Sequence, residues 1–348
     1  MSAARATMRD MRTPLALLIA LALTACPGPA PKPSAHWSFV FHGIANGLVS
    51  VAGTSATDVW SCGGDIGDGT GPLVLHFDGK SWKRFPTGVT GDLWWIMPFA
   101  DGTTYFAGDD GHILQEKNGT FTPMTTPGGL TVFGVWGTAP DNLWAVGGDA
   151  DNGIGFIWRY DGTAWTPLTA PGGIGETNAF FKVWGSSKDD VWIVGQGGHV
   201  LHWDGQALTD ANTDPKLTGS ERTLFTLSGA GGRVAAVGGF ASAFIIERSG
   251  SGSFVNATPA GAMGLSGVDL TSATDGWAVG AHLTVLHRDQ KGWSTAPTKL
   301  SAADDLHAVW VDPSGGVWAV GGDILALPLT HGTMIHYGLD VPGGSFTP

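Results

Sequence analysis

The chain has 348 residues, among them 55 glycines and 16 tryptophans, and its formal net charge is −12. This composition is typical of many short strands joined by tight turns, and no convincing amphipathic helix follows residue 30. The acidic balance excludes a nucleic-acid-binding class, because phosphate recognition needs a basic stripe and the 18 lysines and arginines do not cluster.

The first 25 residues have the pattern of an export signal rather than of a folded element. Three arginines precede an apolar run at 14–23, which is too short for a stable membrane anchor. The run ends in LTAC, whose last letter is Cys26. This order of basic head, apolar run, small residues and cysteine resembles the lipobox of bacterial lipoproteins. The resemblance implies that residues 1–25 are removed and that Cys26 carries the lipid; an ordinary secretory signal with a chance cysteine is the alternative.

Residues 26–35 are predicted to form a tether. Four prolines between Pro27 and Ala35 favour an extended, semi-rigid spacer. Pro27 stands where an aspartate would retain a lipoprotein in the inner membrane, so the resemblance implies the outer membrane. The predicted location is therefore the cell envelope, with the folded body held on the membrane by lipid chains.

Residues 36–348 repeat one strand and its exit turn, for which the best copy reads DNLWAVGGD at 141–149. Each unit adds an apolar strand upstream, and downstream an apolar strand, a turn and an aromatic residue. A period of about 40–45 residues with four strands per unit is the signature of a propeller blade. The sequence therefore predicts an all-β, seven-bladed β-propeller of four-stranded antiparallel blades. The predicted blades span about 47–86, 91–124, 130–168, 179–209, 222–256, 264–296 and 305–338.

The seventh unit lacks its outer strand, because no further aromatic strand follows Tyr337 at the usual distance. An open ring would leave a strand edge unpaired. The segment Trp37–Phe41, which precedes the first blade, is predicted to supply the missing strand of the last blade. The C-terminal segment Gly343–Pro348 is the alternative.

The turn pattern D-G-x-x-W, as at Asp161–Trp165, resembles a degenerate Asp-box. That motif marks the turns of sialidase-type (BNR) repeats, and the units also resemble those of the photosystem II assembly factor propeller and related bacterial surface proteins. The resemblance covers nearly the whole mature chain. It implies that the first strand of each blade lines a central channel, and it implies no particular activity.

The loops between the second and third strands of the blades would share one face of the ring, and they are acidic. Oxygen-rich loops with glycine can bind Ca²⁺, which takes six to eight oxygen ligands. Solvated turn residues are the alternative, because Asp and Gly are common in turns. No other cofactor and no firm metal site is predicted. The candidate ligand or metal-loop residues are Asp65, Asp68, Asp109, Asp110, Asp149, Asp151 and Asp323.

Three residues depart from the repeat where inner strands would line the channel. Asp269 stands in a column that holds tryptophan in three other blades and Leu227 in the fifth, and it is either a channel ligand or a turn cap. The tandem pair Trp94 and Trp95 puts one ring on each strand face, either to stack on a sugar at the channel mouth or to pack between blades. The polar loop Thr209–Arg222 is a further candidate for binding.

Four histidines recur at one repeat position, two residues before the turn that follows the third strand. A catalytic group is needed once, so recurrence indicates a scaffold role, with a hydrogen bond to a neighbouring backbone group. A zinc site is not expected, because the four lie on separate blades. They are His76, His202, His287 and His336.

No catalytic set is evident in the sequence. Glycoside hydrolysis needs two carboxylates at a defined separation, no such pair stands out, and the arginines are scattered over the blades. The predicted function is a membrane-anchored, non-enzymatic binding or assembly scaffold that presents its loops to a protein partner. A glycan-binding, lectin-like propeller and a sialidase- or glycosidase-like hydrolase are the alternatives. The predicted partners are an envelope protein or polysaccharide and, through the lipid, the membrane.

Overall fold

The computed structural model describes residues 34–340, 342 and 343. Within these residues 28 strands form seven four-stranded antiparallel sheets arranged in a ring. The predicted seven-bladed β-propeller is therefore confirmed. The described residues otherwise contain three short 3-10 helices, at Asp109–Gly111, Pro171–Glu176 and Gln196–Gly198. None of the helices in this part of the chain has the length and apolar character needed to cross a bilayer.

Blades 1 to 6 each use four consecutive strands, from β2–β5 to β22–β25, and blade 7 contains β26, β27, β28 and β1. The strands are β1 (His36–Asn46), β2 (Leu48–Ser55), β3 (Asp58–Gly63), β4 (Val74–Phe77), β5 (Trp82–Arg84), β6 (Leu93–Pro98), β7 (Thr103–Gly108), β8 (Ile113–Lys117), β9 (Thr120–Pro123), β10 (Thr131–Ala139), β11 (Asn142–Asp149), β12 (Ile154–Tyr160), β13 (Trp165–Leu168), β14 (Phe180–Ser187), β15 (Asp190–Gly195), β16 (Val200–Trp203), β17 (Leu208–Asp210), β18 (Leu224–Ala230), β19 (Arg233–Gly238), β20 (Phe244–Ser249), β21 (Val255–Asn256), β22 (Leu265–Ser272), β23 (Asp275–Gly280), β24 (Thr284–Asp289), β25 (Gly292–Thr295), β26 (Asp305–Val311), β27 (Val317–Asp323) and β28 (Thr330–Gly338).

The N-terminal strand closes the ring, as the sequence predicts. β1 pairs antiparallel with β28, so that Trp37 lies opposite Tyr337. The strand is longer than the predicted Trp37–Phe41, because it continues through two bulges to Asn46. Of the alternative closing segment Gly343–Pro348, residues 344–348 lie outside the described residues.

The glycine that ends each second-strand repeat has a steric cause. This glycine lies opposite the first paired residues of the inner strand, as Gly195 does opposite Phe180. A Cβ atom there would lie 1.8 to 2.1 Å from a backbone carbonyl oxygen of the inner strand or of the residue before it. Any side chain would therefore push the two innermost strands apart. The glycines of this column are Gly63, Gly108, Gly147, Gly195, Gly238, Gly280 and Gly321.

The core lies between neighbouring blades. Trp82 of blade 1 and Trp318 of blade 7 are 2% and 0% exposed, and their rings pack edge to face at 6.1 Å. Phe41 of β1 packs against Trp82 at 5.3 Å, which brings the closing strand into the same cluster. Burial of each such ring stabilises the fold by roughly 2–3 kcal/mol, so the seam where the ring closes is held by apolar contacts as well as by strand pairing.

Three of the four recurring histidines belong to one repeated polar network. In blade 1 the Nε2 atom of His76 lies 2.6 Å from Asp58 Oδ1, and its ring stacks on Trp60 at 4.0 Å. The hydroxyl of Thr54 donates to the other oxygen of Asp58. Blades 4 and 6 repeat these contacts through His202 and His287. The partner of these histidines is thus the aspartate of the second strand and not the expected backbone group.

Candidate functional site

Each inner strand carries a β-bulge after its first or second paired residue, and the bulge displaces one side chain in every blade. In β14 the pairing with β15 passes from Phe180 to Lys182 and omits Phe181. Bulges change the direction of side chains at the rims of barrels and sites. The displaced residues in blades 1 to 7 are Val49, Trp94, Phe133, Phe181, Phe225, Ser266 and His307.

Five of these residues, from blades 7, 2, 3, 4 and 5, form an arc of aromatic contacts at one mouth of the channel, called the aromatic arc below; the other two, Val49 and Ser266, are not aromatic. Edge-to-face or tilted contacts run from blade to blade, and such pairs contribute about 0.5–1.5 kcal/mol each beyond their burial. A loop residue, Phe240, extends the aromatic arc outward through its contact with Phe225. The ring centroids are 5.9 Å apart for His307 and Trp94, 5.8 Å for Trp94 and Phe133, 5.3 Å for Phe133 and Phe181, 5.6 Å for Phe181 and Phe225, and 5.1 Å for Phe225 and Phe240.

The aromatic arc lines a funnel with a volume of about 1060 Å³. Its rim exposes large apolar side chains from blades 5 and 7, because Phe240, Leu325 and Leu327 are 73%, 80% and 76% exposed. Exposed apolar groups that surround a concave site mark interaction surfaces, since water contact at such groups is unfavourable. The aromatic arc and this rim together are called the channel mouth below.

Lys182 lies at the base of the channel mouth. Its side chain is 5% exposed, and Nζ lies 2.9 Å from the ring centroid of Trp95. Burial lowers the pKa of this amine well below its usual value. Within the described residues, the side chain of Lys182 makes no hydrogen bond or ion pair. A buried amine without an acceptor costs stability, which makes it a candidate for contact with a ligand.

His307 is held as a neutral ring beside this amine. Its Nδ1 atom lies 2.6 Å from the carbonyl oxygen of Val49, which only accepts, so Nδ1 carries the proton. Burial, and then the charge of Lys182, lowers the pKa of His307 to about 4. The imidazole therefore presents Nε2 as a hydrogen-bond acceptor at neutral pH.

Two of the predicted acidic residues position the channel mouth through their hydrogen bonds. Asp109 accepts from Trp94 Nε1 at 3.0 Å and from the backbone of Asp92 at 2.9 Å, and so it orients one ring of the funnel. Asp65 accepts from the backbone of Gly91 at 3.1 Å. The sequence did not single out Asp92, which is 6% exposed and accepts from the Asp65 amide at 2.7 Å. Burial, with the charges of Asp109 and Asp65, raises the pKa of Asp92 to about 6.

The other predicted acidic residues do not converge. Asp110 and Asp151 line the channel mouth, as does Asp149, whose pKa is lowered by the side-chain amide of Asn152. Asp68 bonds the hydroxyl and backbone of Thr70, which lowers its pKa. Among the described residues, none of these four belongs to a group of three ligands close enough for one ion, and neither does Asp65, Asp109 or Asp323. Calcium binding stays a prediction for Asp65, Asp68, Asp109, Asp110, Asp149, Asp151 and Asp323.

The two remaining channel candidates connect blades. Trp95 donates from Nε1 to the carbonyl oxygen of Val135 in blade 3 at 2.7 Å, so this ring packs between blades while Trp94 faces the funnel. Asp269 accepts from the backbone of Val311 in blade 7 at 2.9 Å and from the hydroxyl of Ser228 in blade 5 at 3.2 Å. It lies at neither a strand end nor the channel mouth.

Asp269 occupies a column in which tryptophans pack over the next blade. The ring of Trp184, for example, lies against Gly229. The column residue of blade 5 is Ser228 rather than Leu227, because Ser228 pairs with Ala235 across the sheet. Ser228 and Asp269 thus replace ring packing with hydrogen bonds to the backbone of the following blade.

The predicted loop Thr209–Arg222 is anchored against blade 4. Its backbone bonds Gly219 to Gly197 at 2.9 Å, and the amide of Asn212 donates to Gly198 at 2.7 Å. Leu217 is 5% exposed. Thr223, which directly follows this loop, lines the channel mouth.

The structure also brings together three residues that the sequence did not indicate: His42, Asp304 and His331. They come from three distant segments, so no local spacing marks them. The residues of the aromatic arc recur three places before the tryptophan column, a position that simple alternation does not assign to the channel.

Comparison with known proteins supports the fold and gives no family. No protein-family model matches the chain, and no curated protein matches it. Solved structures that resemble it include streptogramin B lyase, with a TM-score of 0.68, 13% identity and coverage of 87% of this chain and 98% of that one. The WD40 propeller domain of Doa1 has a TM-score of 0.66 and 11% identity, with 88% and 99% coverage. YCF48 bound to D1 peptide has a TM-score of 0.63 and 12% identity, with 90% and 99% coverage. At these identities, the chain is similar to these proteins in its seven-bladed fold.

Proposed function

We propose that the chain is a protein-binding module whose channel mouth holds an extended segment of a partner protein. The observation that carries the proposal is the aromatic arc, which leads from the half-buried Trp94 to the exposed Phe240 at the rim. Concave sites lined by aromatic groups and rich in exposed apolar rim residues are typical of peptide and protein recognition. A propeller solved with a bound peptide is among the similar structures, which fits this use of the fold.

The rim charges define the chemistry of the bound segment. Asp110, Asp149, Asp151 and Asp305 line the opening, and Lys182 lies buried at its base. A segment with apolar side chains, flanked by lysine or arginine, complements this arrangement, because opposite charges at the rim favour encounter and register. The net charge of −12 acts in the same direction.

The exposure of the tryptophans favours a protein over a glycan as the ligand. A sugar-binding propeller would present exposed tryptophan rings at equivalent loops. None of the 16 tryptophans, all of which lie in the described part of the chain, is exposed. The exposed apolar groups at the rim are leucine and phenylalanine, and they suit apolar side chains of a protein.

Selection from a random peptide library on the immobilised full-length chain tests the proposal. We expect selected peptides to share apolar residues flanked by Lys or Arg. Phe240→Ser should weaken their binding about tenfold, which corresponds to about 1.4 kcal/mol. The matched control is Val255→Ser, because Val255 is 60% exposed on the outer strand of blade 5. Equal binding by both variants would contradict the assignment of the site.

We further propose that this module is held at the cell envelope by lipid on Cys26, through the proline-rich tether. Residues 1–33 lie outside the described residues, so the motif around Cys26 carries this part. Mass spectrometry of the N-terminal peptide from cells should show a diacylglycerol-modified cysteine. Cys26→Ser should release the chain from the membrane fraction; an unmodified Cys26 would contradict the proposal.

A further inference from the structure

Two histidines and one aspartate converge at the seam where the ring closes. His42 lies in β1, His331 lies in β28, and Asp304 immediately precedes β26. Nε2 of His42 is 3.2 Å from Asp304 Oδ2, and Nε2 of His331 is 3.9 Å from Asp304 Oδ1. The three potential ligand atoms all lie within 4.8 Å of one another.

Two irregularities in strand pairing produce this convergence. The pairing of β1 with β28 passes from Phe41 opposite Met334 to Ile44 opposite Gly332, so His42 and Gly43 form a bulge. The pairing of β28 with β27 is also shifted, around His331. Bulges of this kind reorient side chains next to functional sites. Without them, alternation along the two strands would not direct both imidazoles to Asp304.

The backbone at this site is in a conformation that needs a reason. His331 has φ of +56°, which costs an L-residue roughly 1–2 kcal/mol, and its imidazole lies over Gly43, where φ is +71°. His331 adopts this conformation where the pairing of β28 with β27 is shifted, and its imidazole lies beside Asp304. Strain of this kind concentrates at ligand-binding positions.

The carboxylate is already oriented by a second group. Thr333 donates its hydroxyl to Asp304 Oδ2 at 2.8 Å, and the backbone oxygen of Asp304 accepts from Leu283 at 2.8 Å. The ring of His42 packs on Phe39 at 4.5 Å. Such supporting contacts fix ligands of metal sites, and the side chains of His42 and His331 are 41% and 55% exposed, which leaves the site open to an ion.

We propose that His42, Asp304 and His331 bind a first-row divalent transition ion, with Zn²⁺ as the expected occupant. Two imidazoles and one carboxylate suit Zn²⁺, whereas Ca²⁺ takes oxygen ligands. Metal bonds of about 2.0–2.2 Å place neighbouring ligand atoms roughly 3.3 Å apart, which the three side chains reach by small rotations. Water completes the coordination, since the three residues supply three ligands.

Such an ion would cross-link the strands of the closing blade. It connects the strand that follows the tether, β1, to β28 and to the segment that leads into β26. An ion that binds only the folded state stabilises it in proportion to the logarithm of its concentration. The role is therefore to resist the release of β1 from the ring, and it is independent of the channel mouth.

Zinc titration of the untagged, chelator-treated full-length chain tests this site. We expect one Zn²⁺ per chain by calorimetry, visible d–d absorption with Co²⁺, and a rise in Tm with Zn²⁺. Loss of a ligand in His42→Ala should weaken Zn²⁺ binding at least about 100-fold, since changes in the outer shell alone cost 10–100-fold. His331→Gly should do the same, and glycine is well suited to the left-handed backbone there.

The matched control is His199→Ala. His199 pairs with Asp210 at 2.8 Å and belongs to no three-residue group in the described chain, so this variant should bind Zn²⁺ as the wild type does. Circular dichroism confirms that each variant is folded. Absence of Zn²⁺ binding by the wild type would overturn the proposal, as would unchanged affinity in folded His42→Ala or His331→Gly.

Discussion

Replacement of Asp269 by asparagine should change the stability of the ring in a pH-dependent way. Burial raises the pKa of Asp269 to about 6, against its usual 3.8, although hydrogen bonds from Val311, Ser228 and Leu270 favour the charged form. Two units correspond to about 3 kcal/mol, and partial solvent exposure reduces this to roughly 1–3 kcal/mol. Because the folded state holds the proton more tightly than the unfolded state, the free energy of unfolding falls as pH rises from about 4 to 6.

Asparagine at position 269 can keep the hydrogen bonds of Asp269, and it has no carboxyl group to titrate. Its amide oxygen can accept from Val311, and its NH₂ can donate to Ser228 Oγ. Urea unfolding followed by tryptophan fluorescence between pH 4 and 8 should show equal stability of Asp269→Asn and wild type at pH 4. The variant should be more stable by roughly 1–3 kcal/mol at pH 7.

Asp141→Asn is the control for this series, because Asp141 is exposed in the turn between β10 and β11. It makes the same chemical change at an exposed position and so measures the general effect of losing one carboxylate. Asp92 also titrates near 6, but its contribution is common to the proteins compared and cancels. A difference between Asp269→Asn and wild type that stays constant from pH 4 to 7 would refute the reasoning.

Two further substitutions test the polar network and the buried amine. His76→Ala removes a hydrogen bond to Asp58 and a stacked ring, so it should lower the free energy of unfolding by about 1–2 kcal/mol. The control is His36→Ala, at an exposed position, which should change the free energy of unfolding by less than about 0.5 kcal/mol. Equal effects of the two substitutions would contradict the network. Lys182→Met should raise the free energy of unfolding by about 1–3 kcal/mol. The buried amine of Lys182 has no acceptor in the described chain, and methionine puts an apolar group of similar length in its place. The control is Lys83→Met, with a side chain that is 65% exposed; a destabilised Lys182→Met would show that the contact with Trp95 outweighs burial.

The regular features of the fold follow from the sequence because each repeats. The second strand around Trp144 and the missing strand of blade 7 are both readable from the alignment of units. The glycine after each second strand is a steric requirement, so every well-formed copy shows it. Repetition makes such positions visible without any knowledge of three-dimensional contacts.

The sites depend on irregularity, and this is why the sequence did not show them. The bulge in each inner strand displaces one residue, so Phe181 faces the funnel although simple alternation does not mark it. The same one-residue ambiguity led to Leu227 being aligned where Ser228 stands. His42 and His331 approach Asp304 only because two strands are bulged at the closing seam, and bulges have no strong sequence signal.

Photo-crosslinking at the channel mouth tests the central claim most directly. A photoreactive phenylalanine analogue at position 240 or, as control, at position 255 would be exposed to a library-selected peptide, and the adducts would be mapped by mass spectrometry. We predict that position 240 crosslinks to the apolar part of the peptide and that position 255 does not. Equal crosslinking from both positions, or crosslinking from position 255 alone, would contradict the assignment of the channel mouth as the binding site.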